Sequence, residues 1–402
     1  MKRFQTDVER QVGKNIERIF SSNSTETGQI NPTSITTNPN TQSISVDLSW
    51  IDMLRGIAIM GVLFDNWTDY MKFETTSAFL YSLAEIFALV TGPFAQVFFI
   101  LSGFGLTIAY FKQSKTNWNW KRWTWRRITK IVIPYVIFVF FSFMMGILGS
   151  YLYTSVDMQF SWVSLLACLT FTQNFYPPSG VWNPSFWFMP VIIGLYISFP
   201  VLVKILEKWG PWVLLLISAF VTYGTLTIAV LAGALRAHSA DLFTFWMIQF
   251  ALGMVLAHVR ETTPQKLYCL VGPKAFFLGM GLLICSWALR TYVPLGARPF
   301  RDSITSVGNF LTLLNLGWIS RTKIPATGKV LNALSSKSYL MFLIHYPIMM
   351  FLIGPPLRVP TNPIIVIALG SIYIIIIFFL CYLISQPINK FTSWAYYKYR
   401  IN

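Results

Sequence analysis

Charge is what this chain has least of. Only 11% of its 402 residues are Asp, Glu, Lys or Arg, against about 25% in a soluble domain. A polar coat that thin excludes a soluble globular enzyme and a disordered chain. Acidic residues are scarcer still, 15 against 31 Lys and Arg, for a net charge of +16. With 54% of the chain hydrophobic, that excess does not describe a nucleic-acid-binding domain, and no nucleic-acid partner is expected. It describes a membrane protein whose cations gather on one face. Cysteine and histidine are also rare. Cys168, Cys269, Cys285 and Cys381 sit in or beside apolar runs with no CxxC or Cys/His spacing, so neither a disulfide framework nor a metal site is expected. The N-terminus lacks the apolar core of a signal peptide.

Long apolar runs are abundant. Residues 1–46 are instead rich in Ser, Thr, Asn, Gln and Pro and are expected to form a disordered cytoplasmic tail. Val8, Val12, Ile16 and Ile19 are spaced for one face of a short helix within it. A membrane-spanning helix needs about 20 predominantly apolar residues. Stretches that fit fall near 49–68, 89–111, 131–153, 185–206, 211–234, 242–259, 275–293, 303–319, 338–356 and 364–387. The expected fold class is therefore all-α, a polytopic membrane protein of about ten transmembrane helices. Its domain should cover 47–390, with 391–402 as a cytoplasmic C-terminal tail. The runs 78–88 and 162–172 are too short to cross and are expected to lie on, or dip into, one face.

The cations orient this bundle. With the N-terminus inside, the outer side keeps only Lys72, Arg236, Arg290, Arg298, Arg301 and Arg358, and Arg55 falls within the first span. The remaining Lys and Arg are all on the inner side. That bias predicts cytoplasmic N- and C-termini.

Candidate chemistry begins on the first span, Trp50-Ile51-Asp52-Met53-Leu54-Arg55-Gly56. Asp52 and Arg55 share a face at i, i+3. An arginine at membrane depth either faces a cavity or snorkels to the headgroups and pairs locally. Asn66 lies eleven residues further on, three turns and about 16 Å along the same face. Asp69 follows three residues after it, and Asp65 is rotated by about 100°. These three residues either form a functional polar stripe or mark the outer water interface. Between the second and third spans, residues 112–130 carry seven Lys or Arg interleaved with Trp118, Trp120, Trp123 and Trp125. That composition suits a phosphate-bearing, base-stacking ligand and equally an ordinary positive-inside loop with an aromatic belt.

Several stretches resemble the acyltransferase-3 family of integral membrane acyltransferases. They are Asp52-Met53-Leu54-Arg55-Gly56-Ile57-Ala58, Val97-Phe98-Phe99-Ile100-Leu101-Ser102-Gly103-Phe104, Arg126-Arg127-Ile128 with Ile133-Pro134-Tyr135, Phe186-Trp187-Phe188-Met189-Pro190, and Ser338 through Pro347 with His345 inside it. They occur in the family's order between about 48 and 387. The resemblance implies transfer of an acyl group, often acetyl, from cytoplasmic coenzyme A to a hydroxyl of a carbohydrate or lipid-linked acceptor, commonly outside the cell. Acyl-CoA is then a donor substrate and no cofactor is bound. Plasma-membrane localisation, a lipid environment and O-acetylation of a polysaccharide would follow.

In that picture Arg55, Ser102, Arg126 and Arg127 hold the donor, and His345 borders the acceptor. The family's first helix carries Arg, ten residues, then a His taken as catalytic base. Here the count from Arg55 lands on Asn66. The resemblance therefore leaves Asp65 and Asp69 as substitute bases, with Asn66 donating hydrogen bonds near the acyl carbon. The rival reading is a degenerate family member acting as a transporter or an interaction protein.

Overall fold

A computed structural model describes residues 49–74, 78, 81–82, 94–113, 118–152, 162–175, 183–232, 242–292, 298–352 and 363–398. The chain divides into two units, Met1–Val46 and Asp47–Asn402. The first unit, with its expected tail and amphipathic helix, lies outside the described residues, as does most of the run 78–88.

Among the described residues the regular structure is entirely helical. The order is α1 (Ser49–Glu74), α2 (Phe94–Lys112), α3 (Trp120–Arg127), a π turn (Ile128–Val132) and α4 (Ile133–Leu152). Next come α5 (Trp162–Leu169), a 3₁₀ turn (Pro184–Trp187) and α6 (Phe188–Leu231). A second 3₁₀ turn (Phe243–Trp246) opens α7 (Met247–Thr262), and a third (Pro264–Leu270) precedes α8 (Pro273–Tyr292). The chain closes with α9 (Arg298–Lys323), α10 (Pro325–Leu352) and α11 (Pro363–Lys398).

Helices cover the described part of all ten stretches expected to span. The two stretches either side of residue 210 run through α6, which breaks at Gly210, where φ is +84° and ψ 176°. Only glycine reaches that conformation without strain, and Pro211 behind it has no N–H to continue the helix. By length and apolarity five segments can cross a membrane: Phe94–Lys112, Trp120–Gly149, Pro184–Leu231, Phe243–Thr262 and Ala368–Lys398. A sixth is counted if Pro264–Leu270 and Pro273–Leu289, bent by 57°, form one span. Helix α1 does not pass that test, and Asp52, Arg55, Asp65 and Asp69 dilute its apolarity. The short run after residue 161 is helical only over α5, eight residues or about 12 Å, too little to cross.

The exterior is apolar in the way a lipid solvent demands. Met144 on α4, Ile197 and Phe220 on α6, and Ile375 on α11 are all exposed. The polar groups are inside. Ser306 of α9 donates to the Gln96 side chain of α2. Tyr135 of α4 donates to the Cys168 carbonyl at 3.0 Å and accepts from Gln173 at 3.1 Å. Hydropathy outside and paired polar atoms inside are the features of an integral membrane protein.

Helices α2 and α7 touch backbone to backbone. A Cβ on Gly103 would stand 2.0 Å from the Phe250 carbonyl oxygen, and one on Gly253 would stand 1.9 Å from that of Ile100. The two glycines let the helices cross at a distance no larger residue permits, which fixes the depth of α2 in the bundle.

Candidate functional site

At the basic end of the bundle five segments surround a cavity of about 470 Å³. Helix α1 contributes Arg55. From α2 come Phe98, Ser102 and Gly105, spaced i, i+4, i+7 and therefore on one face. Helix α6 supplies Phe188, Ile192 and Tyr196 with the same kind of spacing, and α10 supplies Ser338, Tyr339 and Phe342. The stretch joining α3 to α4 adds Arg127 and Lys130.

That last contribution depends on Pro134. A proline has no N–H and its ring collides with the carbonyl four residues back, here that of Lys130. The chain answers with one π turn, in which the Ile133 N–H reaches the Ile128 carbonyl. One extra residue offsets α3 from α4 by about 100°. The Thr129 hydroxyl ties the turn down by donating to the Trp125 carbonyl at 3.0 Å, and the Tyr339 hydroxyl donates to the Ile131 carbonyl at 2.7 Å.

The cavity is polar at one end and aromatic at the other. Arg55 Nη1 meets Asp52 Oδ1 at 3.1 Å, and its Nη2 lies 3.4 Å from the Leu101 carbonyl. The pair is substantially exposed, so its worth is mainly orientation of the guanidinium rather than stability. Arg127 lies over the Tyr196 ring, 5.6 Å from its centroid, and its Nε is buried with no partner among the described residues. At the far end Phe188 stands 6.4 Å from Phe98 and 4.9 Å from Phe342, ring centre to ring centre. A ligand suited to this space has an anionic head and a slim, largely apolar arm.

A smaller groove of about 120 Å³ adjoins the cavity and shares Arg127 with it. Trp118, Arg122, Trp123 and Arg126 also line it. The Asn119 side chain caps α3 by accepting from the Arg122 N–H at 3.0 Å, which starts the helix that presents these arginines. The indole nitrogens of Trp118 and Trp123 are buried without a partner among the described residues. Guanidinium nitrogens only donate, so Arg122 and Arg126 favour acceptor oxygens in the groove, which Gln113 and Asn119 also line.

Residues 391–398, expected as part of a tail, are the last turns of α11. They bring the Tyr396 hydroxyl to Arg122 Nε at 3.2 Å and Arg126 Nε at 3.1 Å. Nothing in the sequence signals this contact, because the partners lie 274 and 270 positions away.

The residues expected to hold a donor fall close together. Arg55, Ser102 and Arg127 line the cavity, and Arg126 lines the groove beside it. Lys130, Tyr196 and Tyr339 join them; Lys130 was hinted at only by its place in the basic stretch and Tyr339 by its place in the Ser338–Pro347 stretch, and Tyr196 stands outside the quoted stretches. Of the residues expected to act on the acyl group, Asp65 and Asn66 do not line the cavity. Asn66 donates its amide back to the Val62 carbonyl at 2.9 Å, a bond along its own helix. Asp65 is half-buried. Asp69 lies on α1, and its side chain is outside the described residues. His345 is fully buried, one turn beyond Phe342, with Nδ1 2.7 Å from the Phe342 carbonyl oxygen. Of the cations expected on the outer side, Arg301 pairs with Asp302 at 3.1 Å, whereas Arg236 lies outside the described residues.

Residues 48–386 match the family model described as an acyltransferase domain. No curated protein matches the chain, and no solved structure does.

Proposed function

Since the chain belongs to the acyltransferase family whose domain it matches over residues 48–386, we propose that it moves a short acyl group, acetyl in the first instance, from coenzyme A to a hydroxyl of a carbohydrate or lipid-linked acceptor. The observation that carries this reading is the cavity with Arg55, Arg127 and Lys130 at one end and three phenylalanines at the other. Coenzyme A has the matching shape: a phosphate-rich head, a slim pantetheine arm and a thioester at its tip. Arg122 and Arg126 in the adjoining groove suit its phosphates, and Ser102 lines the path of the arm.

In this reading the protein lies in the plasma membrane with ten crossings. Both termini are cytoplasmic, and the basic end faces the cytoplasm, where the donor is made. The acceptor approaches from the opposite side, where Asp65, Asn66 and Asp69 lie on α1. Polysaccharide O-acetylation is the process this arrangement serves.

The test is transfer of radiolabelled acetyl from acetyl-CoA into the carbohydrate or lipid fraction of membranes carrying the protein. Label should appear with the native chain and be lost with Arg55→Ala. Equal labelling by membranes lacking the protein overturns the proposal.

Asn66, standing where the family carries a histidine, favours one second reading: a chain that has lost catalysis and serves as a glycolipid transporter or interaction protein. A purified protein that transfers no label yet binds glycolipid would support it.

A further inference from the structure

The bundle contains one imidazole that is both fully buried and short of a partner among the described residues. Ring nitrogen Nδ1 of His345 lies 2.7 Å from the Phe342 carbonyl oxygen. A carbonyl only accepts, so Nδ1 must carry the proton and Nε2 the free lone pair. That Nε2 is buried and makes no hydrogen bond to any described residue. A buried acceptor left unmade costs about 1–3 kcal/mol, and such an atom asks for a function.

Its position on α10 suggests which. Ser338 and Phe342 line the cavity. His345 lies seven residues from Ser338, two turns and about 20° off the same face. It is the next position outward on the stripe that walls the cavity. Its ring centre is 5.7 Å from that of Phe342, which lines the cavity where the imidazole does not. On α1 the corresponding outward position from Arg55 is Asn66, which cannot take a proton at neutral pH.

We propose that His345 Nε2 is the general base of the transfer, reached from the donor cavity when the Phe342 ring turns aside. This rests on the acyl-transfer reading. The acceptor hydroxyl oxygen attacks the thioester carbonyl carbon while its proton passes to Nε2. A C–O bond forms and the carbonyl electron pair moves to oxygen. When that pair returns, the C–S bond breaks, and the proton on Nε2 passes to the departing sulfur. The products are the ester and the free thiol of coenzyme A, and the imidazole ends neutral, as it began.

The experiment uses His345→Asn in the full chain. An amide there can still donate to the Phe342 carbonyl, as Nδ1 does, but it holds no base. Purified variant and native protein are compared for acetyl transfer and for binding of a non-transferable thioether analogue of acetyl-CoA. General-base loss is expected to lower kcat by about 10²–10⁴-fold with analogue affinity within twofold of native. Undiminished kcat overturns the assignment, as does a loss confined to analogue binding. Should His345→Asn fail to fold, His345→Gln serves: its amide likewise holds no base, kcat should fall at least tenfold with the analogue still bound, and unchanged kcat overturns the proposal. Absence of transfer by the native protein is a different result and counts against the acyl-transfer reading itself.

Discussion

Gly105 and Arg55 approach so closely that a Cβ on the glycine would meet the guanidinium Nη2 at 3.2 Å. Helix α2 thus supports the cation that α1 sends into the cavity mouth, alongside the contacts from Asp52 and the Leu101 carbonyl. The atom displaced is the end of a flexible side chain, so Gly105→Ala should fold normally and shift Arg55 by a few tenths of an ångström. The donor KM should rise several-fold with kcat nearly unchanged. Steady-state kinetics over a range of acetyl-CoA concentrations reads this. Gly105→Val should raise KM further.

Charge at the mouth predicts a salt dependence. Arg55, Arg127 and Lys130 share one small space, and interactions of exposed charges are screened over about 10 Å at 0.1 M salt. Donor affinity should fall steadily between low and moderate ionic strength. The fall should be shallower in Arg127→Gln, which presents one cation fewer. Titration with the thioether analogue at several salt concentrations gives the slope.

The contact between α2 and α7 should be intolerant of volume. In Gly253→Ala the added Cβ points at the backbone oxygen of Ile100 at 1.9 Å, where no side chain can give way. Overpacking of this kind costs about 1–3 kcal/mol. The Tm in detergent should fall, and the loss should exceed that of Gly224→Ala, whose Cβ would meet nothing within 4 Å. Equal thermal stability of the two variants would contradict the contact.

Tyr396 holds two guanidinium groups at the edge of the groove. A hydrogen bond to a charged group is worth about 1.5–3 kcal/mol when sheltered and less at this exposed site. Tyr396→Phe should weaken analogue binding by severalfold at most. Removal of the last turns of α11 should do the same. Isothermal titration of both variants checks this, and affinities equal to native would show that the clasp does not organise the arginines.

The sequence made the helices legible because lipid imposes a simple rule: about 20 apolar residues per crossing, with breaks where Gly210 and Pro211 adjoin. The basic end of the cavity was legible for a related reason. Arg55, Arg126 and Arg127 are costly near a membrane unless they have work or partners, so they stand out. The far side was not. Periodicity put Asn66 on the face of Arg55, but it could not show that the amide turns back to the Val62 carbonyl. The π turn at Ile128–Val132 was hidden because a proline announces a disturbance without saying how the chain absorbs it. That His345 Nε2 has no partner among the described residues depends on what packs around it, and no local pattern carries that information. Tyr396 meets Arg122 and Arg126 only through the fold.

The claim on which the account turns is that the cavity between Arg55 and Phe342 receives the acyl donor. Titrating purified protein with the thioether analogue of acetyl-CoA measures it most directly. The prediction is saturable binding at one site in the native chain, weakened at least tenfold by Arg55→Ala and by Arg127→Ala and little changed by Asp65→Asn. Binding of equal strength in all four proteins, or none in the native chain, would contradict it.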